Sequence, residues 1–193
     1  MRAALAATGL RSSATLAFKK MGIRKSKNAA RGNSLKGSRM LRKGRMSQAG
    51  ALYFISAFKA DHARYLDNPG CFRIIENTLN LLEREGLLEW LALVLMPDHL
   101  HMIIRLGDRD SLSDAIRKFK SVSAIEINRQ RGTSGPVWYK GFYDRFIREG
   151  ENLAAYLNYI IMNPVKKRLC SKASDYEFLK IKRNFREQAR SHN

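Results

Sequence analysis

The chain has 193 residues, of which 45% are hydrophobic, and this is enough for one globular domain with a tail. Its formal net charge of +19 indicates an anionic partner, most often nucleic acid. Two cysteines, Cys71 and Cys170, are too few for a disulfide framework or a cysteine-based metal site, so we expect a reducing compartment. No apolar run approaches the length of a membrane span, which predicts a soluble protein.

The positive charge is concentrated at the N-terminus. Residues 1–46 contain 13 Lys or Arg, and Asp61 is the first acidic residue, so 23 basic and 17 acidic residues remain for the rest. Residues 1–48 have no lasting apolar period and are predicted to be a basic, disordered arm. Three explanations stay open: an arm that holds phosphates, upstream sequence before a true start at Met40 or Met46, or an organellar transit peptide.

The first half of the remaining chain predicts three strands and a helix. Residues 51–60 are aromatic and aliphatic, as in a strand, and a helix of apolar residues at helical spacing then runs to Gly86. Residues 87–95 are almost all apolar, which predicts a central strand. A turn at 96–98 leads into a third strand, "HLHMIIRL".

The second half predicts two helices around one strand. A helix begins near Ser111 and ends by Gly132. Residues 135–147 follow as a strand, with Gly141 as a candidate break. The helix "ENLAAYLNYIIMNP" is expected to end at Pro164, because the residue before a proline is pushed out of the helical region.

This order of elements predicts the fold class and the domain boundaries. Strand, helix, strand, strand, helix, strand, helix is an α+β arrangement: a ferredoxin-like split βαβ antiparallel sheet, with helices on one face and an extra C-terminal helix. We expect one domain over residues 49–175, followed by a basic C-terminal tail over residues 176–193.

The third strand carries two histidines on one face. Side chains two residues apart in a strand point the same way, so His99 and His101 share a face. The opposite face is purely apolar and should lie under the helices, which leaves the histidine face open. Two such imidazoles can converge on one metal ion, or they can be half-exposed surface histidines. A metal site needs a third ligand, and neither His62 nor His192 is well placed to supply it.

The last helix has two stripes of side chains. The predicted buried stripe consists of Leu153, Leu157, Ile160 and Ile161, and the flanking stripe consists of Tyr156, Tyr159 and Asn163. A tyrosine hydroxyl is a possible nucleophile, and an asparagine oxygen suits Mg²⁺ or Mn²⁺. The alternative is two half-buried tyrosines and an asparagine at a helix end.

"MPDHLHMII", "VWYKGFYDRFIREGENLAAYLNYIIMNPVKK" and the strand–helix order between them resemble the REP-associated tyrosine transposases, within the HUH (IS200-like) single-strand transposases. The resemblance covers roughly residues 50–170. It implies that His99, His101 and Asn163 hold a divalent metal, Mg²⁺ or Mn²⁺, and that Tyr159 attacks DNA. Tyr156 lies one turn before the nucleophile position, and the long basic arm has no counterpart in the family pattern.

The resemblance also implies a reaction and a partner. Attack by Tyr159 would give a 5′-phosphotyrosine on single-stranded or hairpin DNA, with short palindromic repeats as targets. Unpaired bases could stack on Trp138, Tyr139 or Phe142, and Trp138 could equally be core. Backbone phosphates would meet basic residues, which are Lys118, Lys120, Arg145, Arg148, Lys166 and Lys167. We expect a monomer rather than a dimer, located in a bacterial cytoplasm with the nucleoid.

Two other functions are compatible with the same pattern. One is a nucleic-acid-binding protein of this fold without turnover, and the other is a metal-dependent phosphoesterase that uses water. The presence of His99, His101, Tyr159 and Asn163 together argues against the first. A covalent protein–DNA adduct would separate both from a tyrosine strand-transferase.

Overall fold

The computed structural model describes residues 47–60 and 64–185. The predictions for residues 1–46, for His62 and for the chain end, including His192, fall outside these residues. Within the described ranges, no helix combines the length and apolar character that crossing a membrane would require.

One antiparallel sheet of five strands organises residues 47–60 and 64–185. Its spatial order is β4-β1-β3-β2-β5, so β3 is central and pairs with β1 on one side and β2 on the other. This confirms the predicted split βαβ antiparallel arrangement. The strands are β1 Leu52–Phe58, β2 Leu88–Met96, β3 His99–Leu106, β4 Tyr143–Ile147 and β5 Leu179–Ile181.

In the described part of the chain three α-helices accompany the sheet, and their ends follow from capping residues. They are α1 Pro69–Arg84, α2 Leu112–Arg131 and α3 Leu153–Lys166. Asn68 caps α1 by accepting from the backbone N–H of Cys71 at 2.9 Å. The predicted limits of α2 are confirmed: Ser111 is its N-cap, and Gly132 ends it in the left-handed conformation at φ 62°.

The helices cover opposite faces of the sheet. The apolar face of β3, with Leu100, Met102 and Ile104, packs in one core with buried residues of α1 and α2 such as Ile75 and Phe119. The third helix lies on the other face, where ring contacts join it to β1 and β3. The two histidines of β3 are therefore on the α3 face.

Helix α3 continues past the predicted stop at Pro164 and ends at Lys166. A proline in the last turn removes one N–H donor but leaves its carbonyl available. That carbonyl accepts from the N–H of Leu169 at 2.9 Å, and the carbonyl of Asn163 accepts from Lys167 at 3.0 Å. The expectation that the helix ends at Pro164 was wrong because these contacts close the last turn.

The buried stripe of α3 also differs from the expected one. Tyr156 and Asn163, which were expected to flank the stripe, are buried, whereas Leu153 and Ile161 are only half-buried. The helix thus turns this stripe toward the sheet, where the Tyr156 hydroxyl accepts from Nε of Arg145 on β4.

The strand expected over residues 135–147 is shorter than predicted. Only Tyr143–Ile147 pairs along β1, and Trp138 makes an isolated antiparallel bridge with Lys59. The interruption falls around Gly141, the predicted break.

Part of the range expected to be a basic tail belongs to the sheet. Leu179–Ile181 forms β5 against β2, and the Tyr176 hydroxyl donates to the buried carbonyl of Leu95 at 2.8 Å. Phe185 is 1% exposed. A three-residue edge strand with Lys180 in the middle gives little periodic signal, and charges on edge strands limit unwanted pairing.

Tyr176→Phe should lower the free energy of unfolding by about 1 to 2 kcal/mol, because the Leu95 carbonyl loses a buried donor. Urea unfolding would measure the change. Tyr139→Phe removes a hydroxyl from a side chain that is 54% exposed and serves as the control. Equal stability of Tyr176→Phe and wild type would show that the segment around Tyr176 contributes little to the domain.

Candidate active site

The two histidines lie next to each other at the start of the central strand. In the β1–β3 register, His99 is opposite Phe58 and His101 is opposite Ser56. The two imidazole rings have centroids 4.7 Å apart and planes at 75°. The local sequence produces this pair because residues two apart in β3 point to the same face.

The histidine face is not open as expected. His99 is 9% exposed and His101 is 3% exposed. Phe58 stacks on His99 with ring centroids 5.4 Å apart, and Phe54 stacks on His101 at 5.3 Å. The expectation of an open face was wrong because α3 packs over it, and buried histidines need hydrogen-bonding partners.

Each imidazole has such a partner at its Nδ1 atom. Nδ1 of His99 lies 2.6 Å from Oδ1 of Asp98, and Nδ1 of His101 lies 2.6 Å from Oγ of Ser56. A carboxylate only accepts, so neutral His99 carries its hydrogen on Nδ1 and its lone pair on Nε2. A serine hydroxyl can accept in the same way, which would give His101 the same tautomer.

The charge states of this group follow from burial and from the short contacts. The pKa of His101 is well below its ordinary value, first because the ring is buried and then because of the positive charges of His99 and Lys167. The pKa of Asp98 is also lowered, mainly by the hydrogen bond with His99. Histidine binds metals in its neutral form, which the low pKa of His101 favours for that ring.

Helix α3 brings Tyr159 and Asn163 to this pair. The Tyr159 ring centroid is 5.2 Å from that of His101 and 5.6 Å from that of Phe54. Asn163 lies one turn on and is 4% exposed. Burial raises the pKa of the Tyr159 hydroxyl, and a side-chain hydrogen bond with Asn163 partly offsets this. The four residues singled out in the sequence therefore converge at one place.

Tyr156, one turn earlier, has a different environment. Its hydroxyl donates to Oε2 of Glu151 at 3.3 Å and accepts from Nε of Arg145 at 3.3 Å. Arg145 and Glu151 also form an ion pair at 2.8 Å. This cluster holds the Tyr156 hydroxyl between β4 and the start of α3.

Four of the predicted DNA contacts lie on the α3 side of the molecule. The Lys166 ammonium is 5.7 Å from the Tyr159 ring centroid. The positive charge of Lys167 contributes to the low pKa of His101. Arg145 is opposite Phe54 across the β1–β4 pairing and so shares the histidine face. Arg148 is exposed, 3.7 Å from Glu151.

Of the other five candidates, Tyr139 is exposed and Phe142 is half-buried against the core, and the remaining three have partners elsewhere in the fold. Lys118, on α2, pairs with Glu85 at 2.7 Å. Trp138 is 5% exposed, and its indole N–H donates to Oγ of Ser123 at 2.9 Å, which favours the core alternative. The Lys120 ammonium donates to the backbone carbonyls of Tyr139 and Gly141. These contacts give Trp138 and Lys120 a structural role, whereas Lys118 forms an exposed ion pair.

Sequence reasoning did not single out Ser56 and Asp98. Asp98 directly precedes the first histidine, and Ser56 is the one hydroxyl in the apolar stretch "ALYFISAFKA". A polar residue inside a buried strand indicates a hydrogen bond with another buried group, because a buried polar atom needs a partner. Its partner becomes visible only when the β1–β3 register is known.

Three comparisons with known proteins bear on this site. The family model described as "Transposase IS200 like" matches residues 54–163. A curated protein of Haemophilus influenzae, whose name assigns it provisionally to the REP-associated tyrosine transposases, is 28% identical over 111 residues. That match spans 52% of this chain and 62% of the relative, so the chain covers less than two thirds of the relative's length.

The fold is also similar to that of a solved REP-associated tyrosine transposase bound to a REP hairpin. The TM-score is 0.60 at 22% identity, over 77% of this chain and 86% of the other. At this identity the likeness concerns the fold, and it agrees with the α+β architecture described above.

Lys120→Met should lower the free energy of unfolding by about 1 kcal/mol, because two carbonyls of the 139–141 segment lose their donor. Burial lowers the pKa of Lys120 to about 8 from 10.5. Between these values the unfolded chain holds more protons, so wild-type stability should rise relative to Lys120→Met as pH increases from 8 to 10. Urea unfolding across this pH range would measure both effects.

Lys118→Met is the matched control on the same helix. Its exposed pair with Glu85 should contribute less than about 1 kcal/mol. Identical behaviour of the two variants would contradict the structural role of Lys120.

Proposed function

Because the chain belongs to the IS200-like transposase family, we propose that it cleaves and rejoins DNA strands in a metal-dependent reaction with Tyr159 as nucleophile. The observation that carries this proposal is the contact of the Tyr159 ring with His101 at 5.2 Å, beside a second histidine. A tyrosine next to paired imidazoles places a nucleophile beside two potential metal ligands.

The residues present fit a divalent metal. With both Nδ1 atoms engaged by Asp98 and Ser56, the Nε2 atoms of His99 and His101 are the ligating nitrogens. Within residues 47–60 and 64–185, no group of three His, Cys, Asp or Glu side chains could hold a metal. The family resemblance implies Asn163 as the third ligand, and its buried amide carries an oxygen that suits Mg²⁺ or Mn²⁺. When bound, the ion would polarise a phosphate oxygen as a Lewis acid.

The reaction we propose is an in-line exchange of one phosphodiester for another. The Tyr159 oxygen forms a bond to phosphorus, the bond from phosphorus to the 3′ oxygen breaks, and a 3′-hydroxyl leaves with the net transfer of the phenolic proton. The product is a 5′-phosphotyrosine, which a second 3′-hydroxyl can attack to rejoin strands without ATP. The side-chain hydrogen bond with Asn163 orients the phenol and opposes the rise in its pKa that burial causes.

The proposed substrate is single-stranded DNA at the foot of a hairpin. The net charge of +19 favours an anionic partner, and Arg145, Arg148, Lys166 and Lys167 supply cations on the α3 side. The solved relative is bound to a REP hairpin, which supports short palindromic hairpins as the class of target. Lys120 and Trp138 are less suited to DNA contact because their side chains hydrogen-bond within the fold, and Lys118 is paired with Glu85 at an exposed position.

We propose a monomer as the working unit. His99, His101, Tyr159 and Asn163 come from one chain, so no second copy is needed to complete the site. A cytoplasmic, nucleoid-associated location remains a prediction from the resemblance.

Tyr159→Phe should abolish strand cleavage while DNA binding changes less than about threefold, because only the nucleophilic oxygen is removed. Full-length protein would be incubated with labelled hairpin DNA and Mn²⁺ and resolved on a denaturing gel. In wild type the label should migrate with the protein, and a chelator should prevent this.

Tyr156→Phe is the matched control, because it removes the same atom one helical turn away. It should still form the adduct, at a rate within about tenfold of wild type. Free cleaved DNA without an adduct would favour a water-using phosphoesterase. Binding without cleavage on every hairpin tested would favour a non-catalytic DNA-binding protein.

Asp98→Ala should weaken Mn²⁺ binding by about 10- to 100-fold, because partners of ligating histidines fix their orientation. Asp98→Asn keeps an acceptor oxygen and should lose less Mn²⁺ affinity than Asp98→Ala. Isothermal titration with Mn²⁺ in the absence of DNA would measure both. Asp108→Ala, which removes an exposed carboxylate after the other end of β3, is the control. Unchanged affinity in Asp98→Ala would contradict the proposed metal position.

A further inference from the structure

We propose that the exposed ring of Tyr139 is a stacking platform for an unpaired base of the DNA strand that reaches Tyr159. This inference rests on the proposed function and adds a second contact point for its substrate. The platform is the Tyr139 side chain together with the backbone of residues 139–141 beneath it.

Tyr139 is exposed to an unusual degree for an aromatic residue of this chain. Its side chain is 54% exposed, and Ile125 is the other large apolar residue in the described ranges with comparable exposure. Ile125 is on α2, which packs on the opposite face of the sheet. The two exposed side chains therefore lie on different sides of the domain.

Strand pairing places Tyr139 on the histidine face. Trp138 is bridged to Lys59, and the N–H of Tyr139 donates to the carbonyl of Phe58 at 2.7 Å. Trp138 points into the core formed with α1 and α2. Because side chains alternate along an extended segment, Tyr139 lies opposite Phe58 and on the same side as His99.

A row of side chains therefore crosses the sheet toward the active site. Tyr139 neighbours Phe58, and Phe58 stacks on His99 at 5.4 Å. Two strand spacings of about 4.8 Å put Tyr139 about 10 Å from His99. Two or three stacked nucleotides, at about 3.4 Å each, span this distance. A strand with its scissile phosphate at Tyr159 can thus reach the platform with a nearby base.

The backbone beneath the exposed ring is held by hydrogen bonds. The Tyr139 carbonyl accepts from the Lys120 ammonium, which also binds the carbonyl of Gly141 at 3.1 Å. A Cβ built on Gly141 would lie 4.0 Å from Cε1 of Tyr139, so the ring lies close to the Gly141 backbone. A preorganised aromatic side chain loses little conformational entropy when a base stacks on it.

The charge around the ring matches a nucleic acid strand. Lys140 follows directly and is exposed, and Arg145 lies on the same face of β4. Aromatic rings beside cations are the usual means of holding unpaired nucleotides, with little dependence on base identity. The class of ligand is therefore an unpaired nucleotide in a DNA strand, and paired DNA has no free base face to offer.

The test compares two DNA probes in a Tyr159→Phe background, so that the strand is not cut. One probe is a labelled hairpin with single-stranded flanks of mixed sequence, about ten nucleotides each, and the other is the same hairpin with blunt ends. Tyr139→Leu should bind the flanked hairpin about 5- to 100-fold more weakly and the blunt hairpin with unchanged affinity. Tyr139→Trp should bind both as tightly as the parent, because stacking is retained.

Ile125→Ala is the matched control and should bind both probes like the parent. A direct readout is 2-aminopurine placed at successive flank positions, since its fluorescence is quenched by stacking. Quenching at one position should disappear in Tyr139→Leu. The stacking proposal would be wrong if Tyr139→Leu bound the flanked hairpin as tightly as the parent. It would also be wrong if the variant lost the same affinity for both probes.

Failure of this inference can be told apart from failure of the proposed function. If wild type forms the covalent adduct and Tyr139→Leu binds normally, only the platform is wrong. If wild type forms no adduct but Tyr139→Leu still loses the flanked hairpin selectively, the platform holds and the strand-transfer reaction is wrong. If wild type binds neither probe, both are wrong.

Discussion

The packing of α3 against the histidine face of β3 is the interaction on which the rest of the structure depends. A strand sets His99 and His101 side by side, and a helix sets Tyr159 and Asn163 one turn apart. Neither element is a site alone. The contact of the Tyr159 ring with His101 at 5.2 Å makes one group out of the two pairs.

This packing requires polar groups to be buried, and the neighbouring residues make that possible. A buried polar atom without a partner costs about 1 to 3 kcal/mol, and His99, His101 and Asn163 are all buried. Asp98 and Ser56 hydrogen-bond the imidazoles, and Asn163 bonds the Tyr159 hydroxyl. The same bonds orient the imidazole nitrogens, so the interactions that stabilise the face also shape the site.

The periodic parts of the fold could be predicted from the sequence, and the parts that depend on tertiary contacts could not. Strand alternation and capping at Ser111 and Gly132 are local signals, and the predicted sheet and α2 are confirmed. Which face α3 covers is not local, so the histidine face was wrongly expected to be open. The strand β5 was missed for the same reason, because three residues around Lys180 become a strand only against β2.

The candidate site shows the same division. Residue types and spacing singled out the two histidines and the stripe of Tyr156, Tyr159 and Asn163, and the family resemblance selected Tyr159 and Asn163. The structure brings these two close to the histidines. Ser56 was not found, because its role depends on its position opposite His101 in the register. Among the basic residues, sequence alone could not separate Lys120, which holds a loop, from Lys166, which lies near Tyr159.

The measurement that tests the central claim most directly is tandem mass spectrometry of the protein after reaction with hairpin DNA and Mn²⁺, with nuclease and trypsin digestion. Residues 149–166 should appear as one tryptic peptide that contains both Tyr156 and Tyr159. Tyr159 should carry a nucleotide phosphate, and Tyr156 should be unmodified. A phosphate on Tyr156, or cleaved DNA with neither tyrosine modified, would contradict the proposed role of Tyr159.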